Sequence, residues 1–251
     1  MTYCLAIQLD EGLVFCSDSR TNAGADRLST FSKLNRFDVP NDRQVVLLSA
    51  GNLATTQAVV DSMNRDLKSE AELSLATVPH LAAAADYVGA LSREVQNKYA
   101  PAGQEAGFNA EATFILGGQI KGLDPELYMI YSAGNHIRPS EQFPYLQIGE
   151  VKYGRPILDR IIRSEIEHEI AMRCALVSMD STLRSNATVG PPIELLYMPR
   201  RNSDGSSSSN EYHSFRQNDP YLRAVRTAWN EEIVHAFNNL PPLNSVSEGA
   251  K

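Results

Sequence analysis

The stretch MTYCLAIQLDEGLVFCSDSRTNAG, residues 1–24, decides how this chain begins to fold. Tyr3 to Leu9 is mostly apolar and β-prone, and Leu13 to Ser17 reads as a second strand. Asp10, Glu11 and Gly12 between them are a turn signal. Two short strands joined by a tight turn predict a hairpin. An acid at the end of the second strand, Asp18, then lies close to Thr2 at the start of the first.

Further strand-like runs follow at Val45–Ser49, Ala112–Leu116, Leu127–Tyr131, Ala175–Met179 and Ile193–Met198. Helical periodicity marks Leu53–Leu67, Val78–Tyr99 and Pro156–Ile170. The order suits helices packed outside a two-sheet core better than a βαβ repeat. Residues 200–219 form a polar segment with Ser206–Ser209 inside it, read as a flexible surface loop. A last helix is predicted from Asp219 as cap and Pro220 at the first helical position. The expected organisation is one domain over residues 1–251, with loop 200–219 and a C-terminal extension over 220–251.

Composition removes several classes of function. Hydrophobic residues make up 43% of the 251, enough for a sizeable core. A net charge of −7 argues against a nucleic-acid binder and against a basic membrane-surface protein. No apolar run approaches the length of a membrane span, and the start has no signal-peptide pattern. A cytoplasmic location is therefore expected. Cys4, Cys16 and Cys174 fit no metal spacing and read as buried thiols in a reducing compartment. The histidines are scattered, and His168-Glu169 has Met172 where the zinc motif needs a second histidine. No metal and no cofactor are expected. Gly117-Gly118 lacks the lysine of a phosphate loop and reads as a hairpin turn. Trp229 and its helical neighbours read as a packing face.

The chemistry starts at Met1-Thr2. Methionine aminopeptidase removes Met before a small residue, which would leave Thr2 first. An N-terminal threonine carries a hydroxyl that can attack a carbonyl. It also carries an α-amine with a reference pKa of about 7.7–8.0, able to accept the hydroxyl proton. A Met-Thr start is commonplace by itself. Asp18 and the next lysine, Lys33, add weight. A buried ammonium beside Thr2 would lower the proton affinity of its hydroxyl.

Thr2, the SDSRTNAG stretch, Lys33 and SAGNLATTQAV (49–59) together resemble the opening of a proteasome β-subunit. The likeness is closer to Anbu, the ancestral β-subunit family. It extends through FILGGQ (114–119), YSAGNHI (131–137), QIGEVKYGRPILDR (147–160) and VSMDSTLRSNATVGPPIELLYM (177–198). The resemblance implies an α+β fold, the four-layer αββα sandwich of N-terminal-nucleophile hydrolases. It implies Thr2 as nucleophile and base, Asp18 positioning Lys33, and Gly51 supplying an oxyanion N–H. The gap from Asp18 to Lys33 is one residue shorter than is usual in proteasome β-subunits. Asp180 and Ser185 match the family's downstream Asp–Ser pair at a longer spacing. Gly149-Glu150-Val151 stands where proteasomes carry a Gly-Ser-Gly motif, so Glu150 and Ser132 are alternatives for the remaining supporting role.

Arg20, Thr21 and Asn22 are expected to line the cleft, where a peptide adds as a strand. Ser49 is expected to floor a roomy side-chain pocket. The implied activity is a threonine peptidase or amide hydrolase acting on peptides or unfolded protein inside a ring or spiral homo-oligomer. A small-amide hydrolase and a non-catalytic assembly subunit are the alternatives, and nothing in the sequence identifies an ATPase partner.

Overall fold

A computed structural model describes residues 2–22, 28–106, 109–202 and 209–243. The opening folds as the predicted hairpin. β1 (Tyr3–Leu9) and β2 (Gly12–Asp18) pair antiparallel, with Leu9 opposite Gly12 and Cys4 opposite Ser17. β3 (Arg20–Asn22) and β4 (Leu28–Thr30) form a separate two-stranded ribbon. β5 (Leu34–Val39) and β6 (Arg43–Gly51) begin a second sheet. The helices α1 (Leu53–Lys68) and α2 (Leu81–Ala106) follow. The second sheet is completed by β7 (Ala112–Ile120), β8 (Glu126–Ile130) and β9 (His136–Ile137).

The chain then returns to the first sheet through β10 (Tyr145–Gly149). α3 (Arg155–Ile161) and α4 (His168–Ser185) precede β11 (Ile193–Pro199) and β12 (Glu211–Phe215). The first sheet has the order β10-β1-β2-β11-β12 and the second β5-β6-β7-β8-β9, every neighbouring pair antiparallel. With α5 (Pro220–Asn238), the described residues make a mixed α+β chain with five helices.

The side-chain pattern explains the packing. Every residue of β2 is buried, as expected for a strand covered on both faces. Leu13 and Phe15 join Cys4 and Ala6 from β1 in a cluster with Leu48 of β6 and Ile115 of β7, so the two sheets share a core. Residues two apart point the same way, so Val14 and Cys16 face the other side. α4 covers that side, where Tyr3 and Ser178 share a 2.7 Å hydroxyl–hydroxyl bond. A second cluster joins Phe114 and Leu116 to Val59 and Met63 of α1 and Ala85 and Val88 of α2.

Four expectations change. Gly117 and Gly118 are not a turn but sit inside β7. A Cβ on Gly117 would lie 2.7 Å from Cζ of Phe15, so the missing side chain makes room for that ring between the sheets. Ala175–Met179 is helical, part of α4. A short apolar run has no periodicity to separate a buried helix from a strand. The helix expected over Pro156–Ile170 ends at Ile161 and restarts at His168. A tertiary bond from Asp10 N–H to the Ser164 carbonyl (2.8 Å) lies within the break, and buried Ile162 closes α3. Finally, the segment expected as loop 200–219 contains β12, whose Phe215 is buried and pairs opposite Ile193. Ser206 to Ser208 lie outside the described residues.

The chain divides into two compact units, residues 1–217 and 218–251. In the second, the Asp219 carboxylate accepts from the N–H groups of Tyr221 (2.9 Å) and Leu222 (3.4 Å), and Pro220 opens α5 as anticipated. The three cysteines are buried and free. Among the described residues no helix is long and apolar enough to cross a membrane.

Candidate active site

The hairpin register places the first pieces. With Cys4 opposite Ser17, the next position along sets Tyr3 beside Asp18, and the Tyr3 N–H donates to Asp18 Oδ1 at 3.0 Å. Thr2 therefore continues past the strand end, next to the carboxylate. Its carbonyl accepts the Glu150 N–H at 2.7 Å. Gly149, the last residue of β10, makes this approach possible. It has φ +84°, and a Cβ there would fall far inside contact distance of the Thr2 carbonyl oxygen.

Asp18 is fully buried, and it is held by four donors. Lys33 Nζ donates to Oδ1 at 2.6 Å, and the N–H groups of Arg20 (3.2 Å) and Gly190 (3.1 Å) donate to Oδ2. Burial pushes the Asp18 carboxyl above the usual carboxylate range, while the Lys33 ammonium and the backbone donors oppose that rise. A buried pair of this kind survives its desolvation because the remaining lone pairs are also satisfied. Lys33 is itself 7% exposed. A second proton on Nζ goes to the Arg20 carbonyl at 2.7 Å, so the ammonium is fixed between β3 and the hairpin end.

The floor comes from the second sheet. Ser49 N–H donates to the Lys33 carbonyl at 3.1 Å, tying β6 to the lysine. Cys4 Sγ donates to the Ser49 carbonyl at 3.7 Å, and burial raises that thiol's pKa well above its ordinary value. Gly51 ends β6 at φ +115°, where a Cβ would collide with the backbone of Glu111 and Ala112. Asn52 then caps α1, its side chain accepting from Thr55 N–H at 3.2 Å. The result is a cleft of about 410 Å³ lined by Thr2, Lys33, Gly51, Ser49, Arg20 and Thr21, with Gly149, Phe31 and Asp61 among its other walls.

Most residues singled out in the sequence thus converge on one cleft. Asn22 is in β3, but its side chain lies outside the described residues, as does Met1. Arg20 reaches the lining with its guanidinium committed, donating to the carbonyls of Ala187 (2.7 Å) and Val189 (3.5 Å). Asp180 is buried within α4, and Ser185, the last residue of that helix, is exposed; neither lines the cleft. Ser132 follows β8, where its carbonyl accepts from Gln96 of α2 at 3.0 Å. Glu150 adjoins Thr2, and its Oε2 accepts from Asn186 Nδ2 at 3.2 Å.

Three contributors escaped the sequence reading. Gly190 binds Asp18 through its backbone, 172 residues away, and a backbone donor has no side-chain signature. Asn186 acts through Glu150 from the end of α4. Glu194 is a buried acid within the apolar run Ile193–Met198, a legible anomaly.

No protein-family model and no curated protein matches the chain. Solved structures do. Anbu (ancestral beta-subunit) from Yersinia bercovieri is 42% identical, covering 96% of this chain and 98% of its own, with a TM-score of 0.87. The structure described as the helical assembly of the Anbu complex from Pseudomonas aeruginosa is 42% identical, covering 98% and 100%, with a TM-score of 0.89. An Anbu (Gly-1) mutant from Hyphomicrobium sp. strain MC1 is 41% identical, covering 97% and 99%, with a TM-score of 0.86.

Proposed function

The chain belongs to the Anbu (ancestral beta-subunit) family, and from that premise we propose that it is an N-terminal-threonine amide hydrolase whose nucleophile is Thr2 once Met1 is removed. The observation that carries this reading is the buried Lys33–Asp18 pair at 2.6 Å in a cleft that also contains Thr2 and Gly51. The packing of two sheets with α1 and α2 against one and α4 against the other supports the αββα layering of N-terminal-nucleophile hydrolases.

Thr2 Oγ attacks the carbonyl carbon of the scissile amide, and its proton passes to the Thr2 α-amine. The Lys33 ammonium favours the alkoxide, and Asp18 keeps that ammonium charged and oriented. The Gly51 N–H stabilises the oxyanion of the tetrahedral intermediate. The C–N bond breaks as the α-amine returns its proton to the leaving nitrogen, and an ester on Thr2 remains. Water, losing a proton to the amine, then attacks the ester; the bond from the acyl carbon to Thr2 Oγ breaks, the amine returns the proton to Oγ, and the acid is released. Glu150 and Asn186 take the supporting role beside Thr2, because the Glu150 N–H holds the Thr2 carbonyl.

The substrate class is peptide or unfolded protein, in keeping with an open cleft beside the β3 strand. The Pseudomonas relative is described as a helical assembly, and this chain is proposed to self-associate into a ring or spiral. Exposed Ile233 and Phe237 on α5 supply apolar surface for that. The cytoplasm is the proposed location.

A threonine-directed electrophile tests the reading after intact mass has confirmed Met1 removal. A single adduct on Thr2, absent in Thr2→Ala, is the expected result. A mature chain with a free Thr2 amine that forms no adduct would sink it. A panel of peptides and small amides then separates a peptidase from a small-amide hydrolase.

A further inference from the structure

The run Ile193-Glu194-Leu195-Leu196-Tyr197-Met198 has one acid among apolar residues, and Glu194 is 8% exposed. An acid so deeply placed needs compensation. Among the described residues, no lysine or arginine lies within ion-pairing distance of it. Its partners are hydroxyls. Ser32 Oγ donates to Oε2 at 2.7 Å, Ser19 Oγ donates to Oε2 at 3.2 Å, and Tyr212 Oη donates to Oε1 at 2.8 Å.

The identity of the two serines matters. Ser19 follows Asp18, and Ser32 precedes Lys33. Those two segments already run side by side, joined by the Phe31 N–H to Ser19 carbonyl bond at 2.9 Å. One carboxylate oxygen therefore grips both backbones that carry the ion pair, one residue away from each member. The other oxygen is anchored by Tyr212 on the edge strand β12, so the grip is fixed to the first sheet. Bonds to a carboxylate are roughly twice as strong as neutral ones, and the bridge is stiff accordingly.

We propose that Glu194 is a positioning residue of the candidate active site, bridging Ser19 and Ser32 so that Asp18 and Lys33 keep their geometry beside Thr2. This rests on the hydrolase reading of Thr2. Glu194 also acts through its charge. Asp18, Lys33 and Glu194 sum to one net negative charge in a buried region that includes Cys4 and Cys16, whose thiols are pushed up first by burial and further by the Asp18 and Glu194 carboxylates. Burial and the bond to Glu194 raise the Tyr212 pKa, and the Arg36 charge opposes that rise. Glu194 pairs opposite Ser17, one residue from Asp18 on β2, and a negative charge added at that end of the hairpin raises the proton affinity of a mature Thr2 α-amine.

The test uses the mature chain with Met1 removed, in wild-type, Glu194→Gln and Glu194→Ala forms. The Thr2 α-amine is titrated by NMR on a carbon-13-labelled threonine, and peptide hydrolysis is measured alongside. Gln keeps the shape and, with its carbonyl toward Ser19 and Ser32, the bridge between them; its NH2 donates to Tyr212 Oη instead of accepting from it, and the charge is gone. It is expected to lower the amine pKa by about half a pH unit with near wild-type kcat. Ala removes the bridge and is expected to lower kcat about tenfold with KM within about twofold. An unmoved amine pKa in Glu194→Gln, or wild-type kcat in a folded Glu194→Ala, overturns the proposal. If Glu194→Ala does not fold, the Gln titration decides. A wild-type chain that hydrolyses nothing sinks the hydrolase reading instead, while the amine titration still judges Glu194.

Discussion

Replacing Lys33 by Met probes the centre of the site, because it keeps the aliphatic volume and deletes the ammonium. Asp18 would lose its 2.6 Å partner and retain only the N–H groups of Tyr3, Arg20 and Gly190. Breaking a buried ion pair costs about 3–5 kcal/mol, and three surviving donors place the cost near 3 kcal/mol. For a unit the size of residues 1–217, each kcal/mol moves Tm by about 2–4 °C, so a fall of about 6–12 °C is expected at neutral pH. The loss has a pH signature. Burial already raises the Asp18 pKa, and deleting the opposing ammonium raises it further. A carboxyl whose folded pKa exceeds its unfolded value destabilises the fold wherever the unfolded form is ionised. The Asp18-dependent part of the loss thus disappears at acid pH, where both folded proteins hold the proton. It grows as pH rises through the raised value and is constant above. Urea midpoints at pH 5 and pH 8 read this directly, with the wider gap expected at pH 8. In Asp18→Asn/Lys33→Met no buried charge is left unpaired, so part of the stability should return; the remainder stays lost because the Asn amide group cannot accept from the Tyr3 N–H that Oδ1 serves in the wild type. Hydrolysis should stay reduced by about 10²–10³-fold or more in both variants. Equal gaps at both pH values, or a double variant no more stable than the single one, would refute the reasoning.

Gly149→Ala should lower kcat/KM about 10²-fold in a protein that still folds, since the new methyl must displace Thr2 and a misplacement of about 1 Å has that effect. The left-handed backbone at Gly149 adds roughly 1–2 kcal/mol of strain, measurable as a lowered Tm. Ser185→Ala should leave kcat/KM within about twofold, because Ser185 is exposed at the end of α4 and outside the cleft lining. Asn186→Ala should lower it about tenfold, because it removes the 3.2 Å bond that holds Glu150 beside Thr2. A reversal of that order in steady-state kinetics would return the supporting role to Ser185.

Local rules carried far in this chain. The two-strand start, the turn at Asp10-Glu11 and the register that follows are consequences of alternating pattern and turn chemistry, and they alone bring Asp18 beside Thr2. The Asp219 cap and Pro220 start of α5 were legible for the same reason. The limits were equally physical. Ala175–Met179 reads as a strand because a short apolar run has no period, and only the sheet it covers makes it a helix. Gly117 reads as a turn until Phe15 is seen to occupy its missing side chain.

The sequence by itself determined the chemical inventory of this protein: a threonine behind the initiator methionine, an acid two strands' length away, the next lysine, and a glycine before a helix. Tertiary structure alone decided which partners complete that inventory. Gly190 reaches Asp18 through a backbone N–H, Glu150 reaches Thr2 through another, and Arg20 lines the cleft with its guanidinium donating to the carbonyls of Ala187 and Val189. Backbone donors carry no residue identity, and contacts across more than a hundred residues follow from sheet order, not from local spacing. For that reason the proposed nucleophile was readable in the chain, and the residues around it were readable only in the fold.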